Sequence, residues 1–272
     1  MQPRQKHRSA TQLSAHADEL KRAEQIYASQ LRQGSLHPEA ELDFLWMVAL
    51  NRLEQIILDF TRGNAIESIQ AEVPALIQRF ERFVQFEVAH RAALSASGNV
   101  ASTLEMTQRE AYVSIFWLLA LCKLTGHEDL VPNIISWLDK DSECNRGTDI
   151  LLENTIQALT GSHVKAEAVL LHPAPYRPLG RATVYPEEQR ASLIKQFLDE
   201  WYKGMRPCYW HGTHTEKRGA SYFGYWALEA ALVTVLWEID DTQYRDHAYY
   251  PKDLVDWARQ HSATSQIKDG PT

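Results

Sequence analysis

Residues Ala111 to Cys122, reading AYVSIFWLLALC, would present apolar side chains to every side of a helix. A helix of that kind needs neighbours all round, so it must stand at the centre of a core. At about a dozen residues it is too short for a bilayer, which takes about 20, and Ser114 interrupts it. It is expected to be a buried helix, and no membrane partner is expected. Thr107 to Glu110 spells T-x-x-E, a capping box in front of it, and Gly126 can end it.

The rest of the chain is organised around that run with the same 3.6-residue period. Leu42, Leu45, Trp46, Ala49, Leu53, Ile56, Ile57 and Phe60 recur every three or four residues behind Pro38, a good first helical residue, with Gly63 as a stop. A more polar helix is expected over 10–32, and another over Ile66–Leu94 with Pro74 inside. Shorter helices are expected over Glu128–Asp139, Thr148–Leu159 (stopped by Gly161) and Val164–Leu171. Pro186 should start one to Tyr202, followed by Ala220–Trp237 and Pro251–Gln260. The proline-rich stretch His172–Tyr185 and residues Lys203–Gly219 are expected as long loops. No convincing strand pattern is present. The fold class is all-α: a multi-helix bundle of roughly nine or ten helices in two closely packed halves. The expected organisation is a mobile N-terminus (1–9), an N-terminal helical domain (10–126), a C-terminal helical domain (127–260) and a frayed tail (261–272).

The formal charge is −7, from 28 basic and 35 acidic residues. It is uneven: residues 1–37 are net basic, through Arg4, Lys6, Arg8, Lys21, Arg22 and Arg32, so the body is acidic. An acidic body argues against direct nucleic-acid binding, because phosphates need cations, and favours a basic protein partner. The first residues are charged with no apolar run behind them, so no signal peptide is read there. The three cysteines, Cys122, Cys144 and Cys208, lack any CxxC spacing. Together these suggest a cytoplasmic location.

Few groups suggest bond-making chemistry. Cys208, His211 and His214 carry the right donors for zinc or a Cys-His nucleophile, but no fourth ligand is evident and no zinc spacing is matched. A metal- or Cys-dependent hydrolase at this region is one alternative, and a helical scaffold is another. There is no G-x-S-x-G, Walker loop or G-x-G-x-x-G. No cofactor is expected. Glu229 sits among Trp226, Leu228, Leu232 and Val233, so its carboxylate needs a partner, with Arg245 or a tyrosine hydroxyl as candidates. Over 225–258, Glu229, Glu238, Asp240, Asp241, Asp246, Asp253 and Asp256 face only Arg245 and Lys252. The rings Tyr222, Phe223, Tyr225, Trp226, Tyr249, Tyr250 and Trp257 are expected to pack between the last two helices rather than stack on bases.

The order Phe223-Gly224-Tyr225-Trp226, Glu229-Ala230-Ala231, Ile239-Asp240-Asp241, Tyr244-Arg245-Asp246, then Tyr249-Tyr250-Pro251-Lys252-Asp253-Leu254 resembles the C-terminal signature of the PoNi family. These are immunity proteins for polymorphic nuclease effectors of bacterial type VI secretion systems. Residues 10–125 resemble the family's N-terminal domain in helix pattern. The resemblance implies a two-part, all-helical, non-enzymatic cytosolic protein that neutralises a cognate DNase toxin. It implies that Gly224, Tyr225, Trp226, Glu229, Arg245, Tyr249, Tyr250, Pro251 and Asp253 are mainly structural. Toxin contacts are then sought on the surface: the two long loops, the run Asp139, Asp141, Glu143, and the corner Glu238, Asp240, Asp241, Asp246. An acidic plug in the nuclease cleft and a grip that deforms the toxin both remain open.

Overall fold

The computed structural model describes residues 2–94, 102–140, 145–166, 169–215 and 221–268, with side chains to 261. Among these it is all-α, with ten α-helices and no strand. They are α1 (Ala10–Gln33), α2 (Pro38–Thr61), α3 (Ile66–Leu94), α4 (Arg109–Leu124), α5 (Val131–Asp139), α6 (Ile150–Thr160), α7 (Pro173–Ala182), α8 (Glu187–Gly204), α9 (Leu228–Leu236) and α10 (Lys252–Lys268). Short 3-10 turns cover Glu128–Leu130 and Thr213–Thr215.

Two compact units result. The first comprises Met1–Ser102 with Gly212–Gly224, and the second Thr103–His211 with Tyr225–Thr272. The contacts group α4 with the second unit.

In the first unit, α2 packs against both α1 and α3. The apolar stripe of α2, from Leu45 through Phe60, is buried against Leu76, Ile77, Phe80, Phe83 and Val84 of α3. Each fully buried Leu or Phe contributes about 1.5–3 kcal/mol, and this seam is the unit's core. Trp46 leans on Phe83 with ring centroids 5.1 Å apart. α1 starts with a capping box between Ser9 and Gln12, and α2 has Pro38 in its first turn, as its sequence predicts. A polar seam joins the helices on another side: Arg79 pairs with Glu24, Arg52 with Glu72, and Gln55 donates to Glu24 at 3.0 Å. The residues before α1 also make contacts. The Arg4 amide donates to the Thr61 carbonyl at 2.8 Å, and Gln5 is buried.

In the second unit α4 is central: every residue from Ala111 to Cys122 is buried. It contacts α5, α9 and α10. α7 and α8 form a tight pair. Gly204, at the end of α8, permits that approach, since a Cβ there would lie 2.5 Å from the Pro175 ring.

Several local expectations are corrected. The T-x-x-E sequence does not form a capping box: Thr107 Oγ1 donates to Glu105 at 2.5 Å, and Glu110 accepts from the Tyr209 amide at 2.6 Å. The proline-rich stretch contains a helix, α7. Its break at Ala174 (φ −105°, ψ 118°) falls where Pro178 cannot donate, so the missing bond coincides with a turn that is already non-helical. Conversely, the described residues of 162–171 form no helix, because the amides of Ile150 and Leu171 anchor this segment to Val169 O and Asp149 instead. The helix expected from Ala220 begins only at Leu228. Gly224 has φ 123°, a conformation that breaks a helix, and the Phe223 carbonyl accepts from Thr61 at 2.7 Å. The last helix runs beyond Gln260, with its backbone helical to Lys268.

Candidate functional site

Glu229 is fully buried in the first turn of α9. Its Oε1 accepts from the Tyr176 hydroxyl at 2.7 Å and from Trp201 Nε1 at 3.2 Å, and its Oε2 accepts from Trp117 Nε1 at 3.3 Å. The donors come from α7, α8 and α4, so a single carboxylate ties three helices to α9. Burial raises the carboxyl's pKa above the usual carboxylate range, and the three donors only partly oppose this. Of the two partners expected from sequence, a tyrosine hydroxyl is present. Arg245 is instead engaged at the other end of α9. Rings close the site: Trp210 lies against Trp117 and Trp201, at 5.5 and 5.6 Å, and Tyr249 lies 5.4 Å from Trp201. The arrangement is a polar tie within the core, with the buried Cys208 thiol near enough to interact electrostatically with Glu229 and Tyr176.

The loop from α9 to α10 is built around a second carboxylate. Asp241 is buried and accepts from Arg245 at 3.2 Å, Arg259 at 3.1 Å and the Tyr250 hydroxyl at 3.1 Å. Arg259 also donates to the Ile239 carbonyl at 2.8 Å, and Arg245 reaches Asp256 at 2.5 Å. The Arg245 guanidinium is held more firmly protonated, chiefly by its bond to Asp256. Tyr244 meets Thr234 at 2.9 Å, and the Ala227 amide donates to the Tyr249 carbonyl at 2.9 Å. Tyr225 packs 4.9 Å from Tyr202. Pro251 directly precedes α10, and Asp253 stands in its first turn. Tyr222 belongs to the first unit, where its hydroxyl donates to Gln5 at 2.6 Å.

The neighbouring acids point outward. Asp240 is exposed and accepts from the Thr242 hydroxyl at 2.6 Å and amide at 3.1 Å, contacts that hold its pKa low. Asp246 is 88% exposed and pairs with Lys252 at 2.6 Å, which likewise lowers its pKa. Glu238 is exposed at φ 51°. The surface set therefore comprises Glu238, Asp240 and Asp246, and Asp241 belongs to the interior.

Asp139 is 55% exposed and meets Arg146 at 2.5 Å. Arg146 is also bonded to the buried Glu153, at 2.9 Å, and that bond leads the causes raising its pKa. Asp141 and Glu143 lie outside the described residues. Asp149, the N-cap of α6, is buried and accepts from the Leu152 and Leu171 amides and the Tyr112 hydroxyl.

Cys208, His211 and His214 do not form a metal-like cluster. Cys208 and His211 belong to the second unit and His214 to the first. His211 stacks on Tyr202 at 4.3 Å, and His214 lies 5.0 Å from His7. The Cys208 thiol is buried, and burial pushes its pKa up to about 12. Among the described residues no group of three or more His, Cys, Asp or Glu could hold a metal ion.

Residues 147–254 match the family of PoNe immunity proteins (PoNi), C-terminal. Residues 41–136 match its N-terminal counterpart. The chain belongs to the PoNi family. The C-terminal match contains both Glu229 and Asp241. Membership implies neutralisation of a nuclease toxin. The crystal structure of protein PA2201 from Pseudomonas aeruginosa is similar, with TM-score 0.74 over 96% of this chain and 92% of that one, at 23% identity. At that identity the likeness is one of fold. No curated protein matches the sequence.

Tyr176, Trp117, Trp201, Arg259, Arg146 and Asp149 were not singled out from sequence. Asp149 carried a readable signal, an aspartate just before an apolar helical run. Arg259 falls one residue past the acidic window 225–258.

Proposed function

We propose that this PoNi protein neutralises a cognate DNase effector of a type VI secretion system in the cytoplasm by binding it directly, without catalysis. Family membership over both halves of the chain carries the reading. A DNase needs a basic surface to hold phosphates. Glu238, Asp240 and Asp246, exposed on the loop between α9 and α10, offer charges complementary to it, with Asp139 as a further outlying acid. Such complementarity speeds encounter and selects partners. The Cys208 region does not favour a hydrolase, because a thiol held at about 12 is a poor nucleophile at neutral pH.

The test mixes the purified chain with the nuclease encoded beside it. DNA cleavage should stop near equimolar ratio, with both proteins co-eluting on a sizing column. Undiminished cleavage without a complex would reject the proposal.

A further inference from the structure

Within the first unit α1 is the most thinly docked helix: four of its 24 residues are buried, against ten of 24 in α2. The four are Leu13, His16, Ala17 and Leu20, spaced by three and four as one stripe, and α1 packs on α2. One of the few residues that dock this helix is therefore an imidazole.

His16 is 4% exposed. Among the described residues neither ring nitrogen has a hydrogen-bond partner. Glu19 Oε2 stands 3.6 Å from Nδ1, too far for a hydrogen bond. A neutral imidazole carries one N–H, and a charged one carries two and a full charge. The site therefore opposes the charged ring more than the neutral one. Accordingly, burial lowers the His16 pKa from the ordinary histidine value, and Glu19 only partly opposes this.

Other charges around α1 are engaged elsewhere. On α2, Arg62 pairs with Asp59 at 2.9 Å and donates to Ser14 at 3.4 Å. Farther along, Glu24 is held by Gln55 of α2 and Arg79 of α3. Ahead of the helix, His7 lies 5.0 Å from His214, and Arg8 donates to the Thr213 carbonyl at 3.2 Å. Glu19, on α1 itself, is the charge that acts on His16.

We propose that His16 is an acid-sensitive latch: a proton on its ring frees α1 from α2 while the seam between α2 and α3 stays closed. Released into water, the ring takes a proton at about pH 6.5; docked, it resists one. The docking is thus full above that pH and is lost as pH falls below it. Burial raises the Glu24 pKa, but Gln55 and Arg79 outweigh it, so that carboxylate stays charged throughout this window.

The test is hydrogen exchange of the full chain at about pH 7.5 and about pH 5, each rate divided by the intrinsic rate at that pH. Peptides covering Leu13–Leu20 should lose about tenfold in protection at the lower pH, the effect of a shift of about one pKa unit, while α3 keeps its protection. His16→Leu, which fills the stripe with an apolar side chain, should abolish the difference. Equal protection at both pH values, the same loss in His16→Leu, or α3 opening in step with α1 would each overturn the latch. Should His16→Leu fail to fold, the wild-type ring decides: its NMR titration midpoint should lie below about 6.5, and a midpoint at or above that value would overturn the proposal.

Discussion

The hydroxyl of Tyr176 donates to Glu229 across 2.7 Å, joining the proline-rich stretch to the first turn of α9. Two Trp indoles complete the carboxylate's partners. The stretch is helical here although its prolines suggest a loop. The helix presents Tyr176 at a fixed place in the core, where an unmet carboxylate would be costly.

Glu229→Ala removes an acceptor from three buried donors and leaves a void. A loss of about 3 kcal/mol in urea unfolding is expected. A loss within about 0.5 kcal/mol would show that the tie contributes little.

The pH dependence of this group has an unusual sign. Its folded pKa is raised, so the folded state holds the proton more tightly than the unfolded chain. That stabilisation is full at acidic pH and is lost as pH rises from the ordinary carboxylate range through the raised value. Asp149, also raised by burial, acts in the same direction. Denaturant midpoints for wild type and Glu229→Gln, measured between about pH 4 and pH 8, should fall less steeply with pH in the variant. Parallel curves would mean that the Glu229 carboxyl has the same pKa folded and unfolded, contrary to the raised value.

Asp241→Asn should destabilise by about 3 kcal/mol, because it leaves Arg245, Arg259 and Tyr250 facing a neutral group. Asp240→Asn should leave the melting temperature unchanged, since an amide oxygen can still accept from Thr242. Equal effects at the two positions would contradict the inside-outside division of this dipeptide.

Reversing charge at Glu238, Asp240 and Asp246 together should slow toxin association by about tenfold at low salt, and much less at high salt. Association rates measured by surface plasmon resonance across an ionic-strength series check this. A salt-independent result would place the interface elsewhere.

Cys208 should resist alkylation at pH 8 in the folded protein, with its peptide labelled only on unfolding, and Cys208→Ala should neutralise toxin as wild type does. Rapid labelling would return attention to this thiol.

Helical periodicity was sufficient to anticipate the fold class, the central place of Ala111–Cys122 and the start of α2, because these depend on local spacing. The late start of α9 was not legible, since apolar spacing runs on across Gly224 and does not reveal its φ of 123°. The same holds for the Glu229 tie: its apolar neighbours announced that the carboxylate needed a partner, but the donors come from three other helices. Asp240 and Asp241 looked alike in sequence, and their tertiary partners separate them: Arg245, Arg259 and Tyr250 for Asp241, the local Thr242 for Asp240. The T-x-x-E match failed because the Tyr209 amide competes for Glu110.

Asp240 and Asp241 stand side by side, yet one meets solvent and the other is locked among arginines. A substitution at the outer position therefore disturbs one local turn, whereas a substitution at the inner position reaches three partners at once.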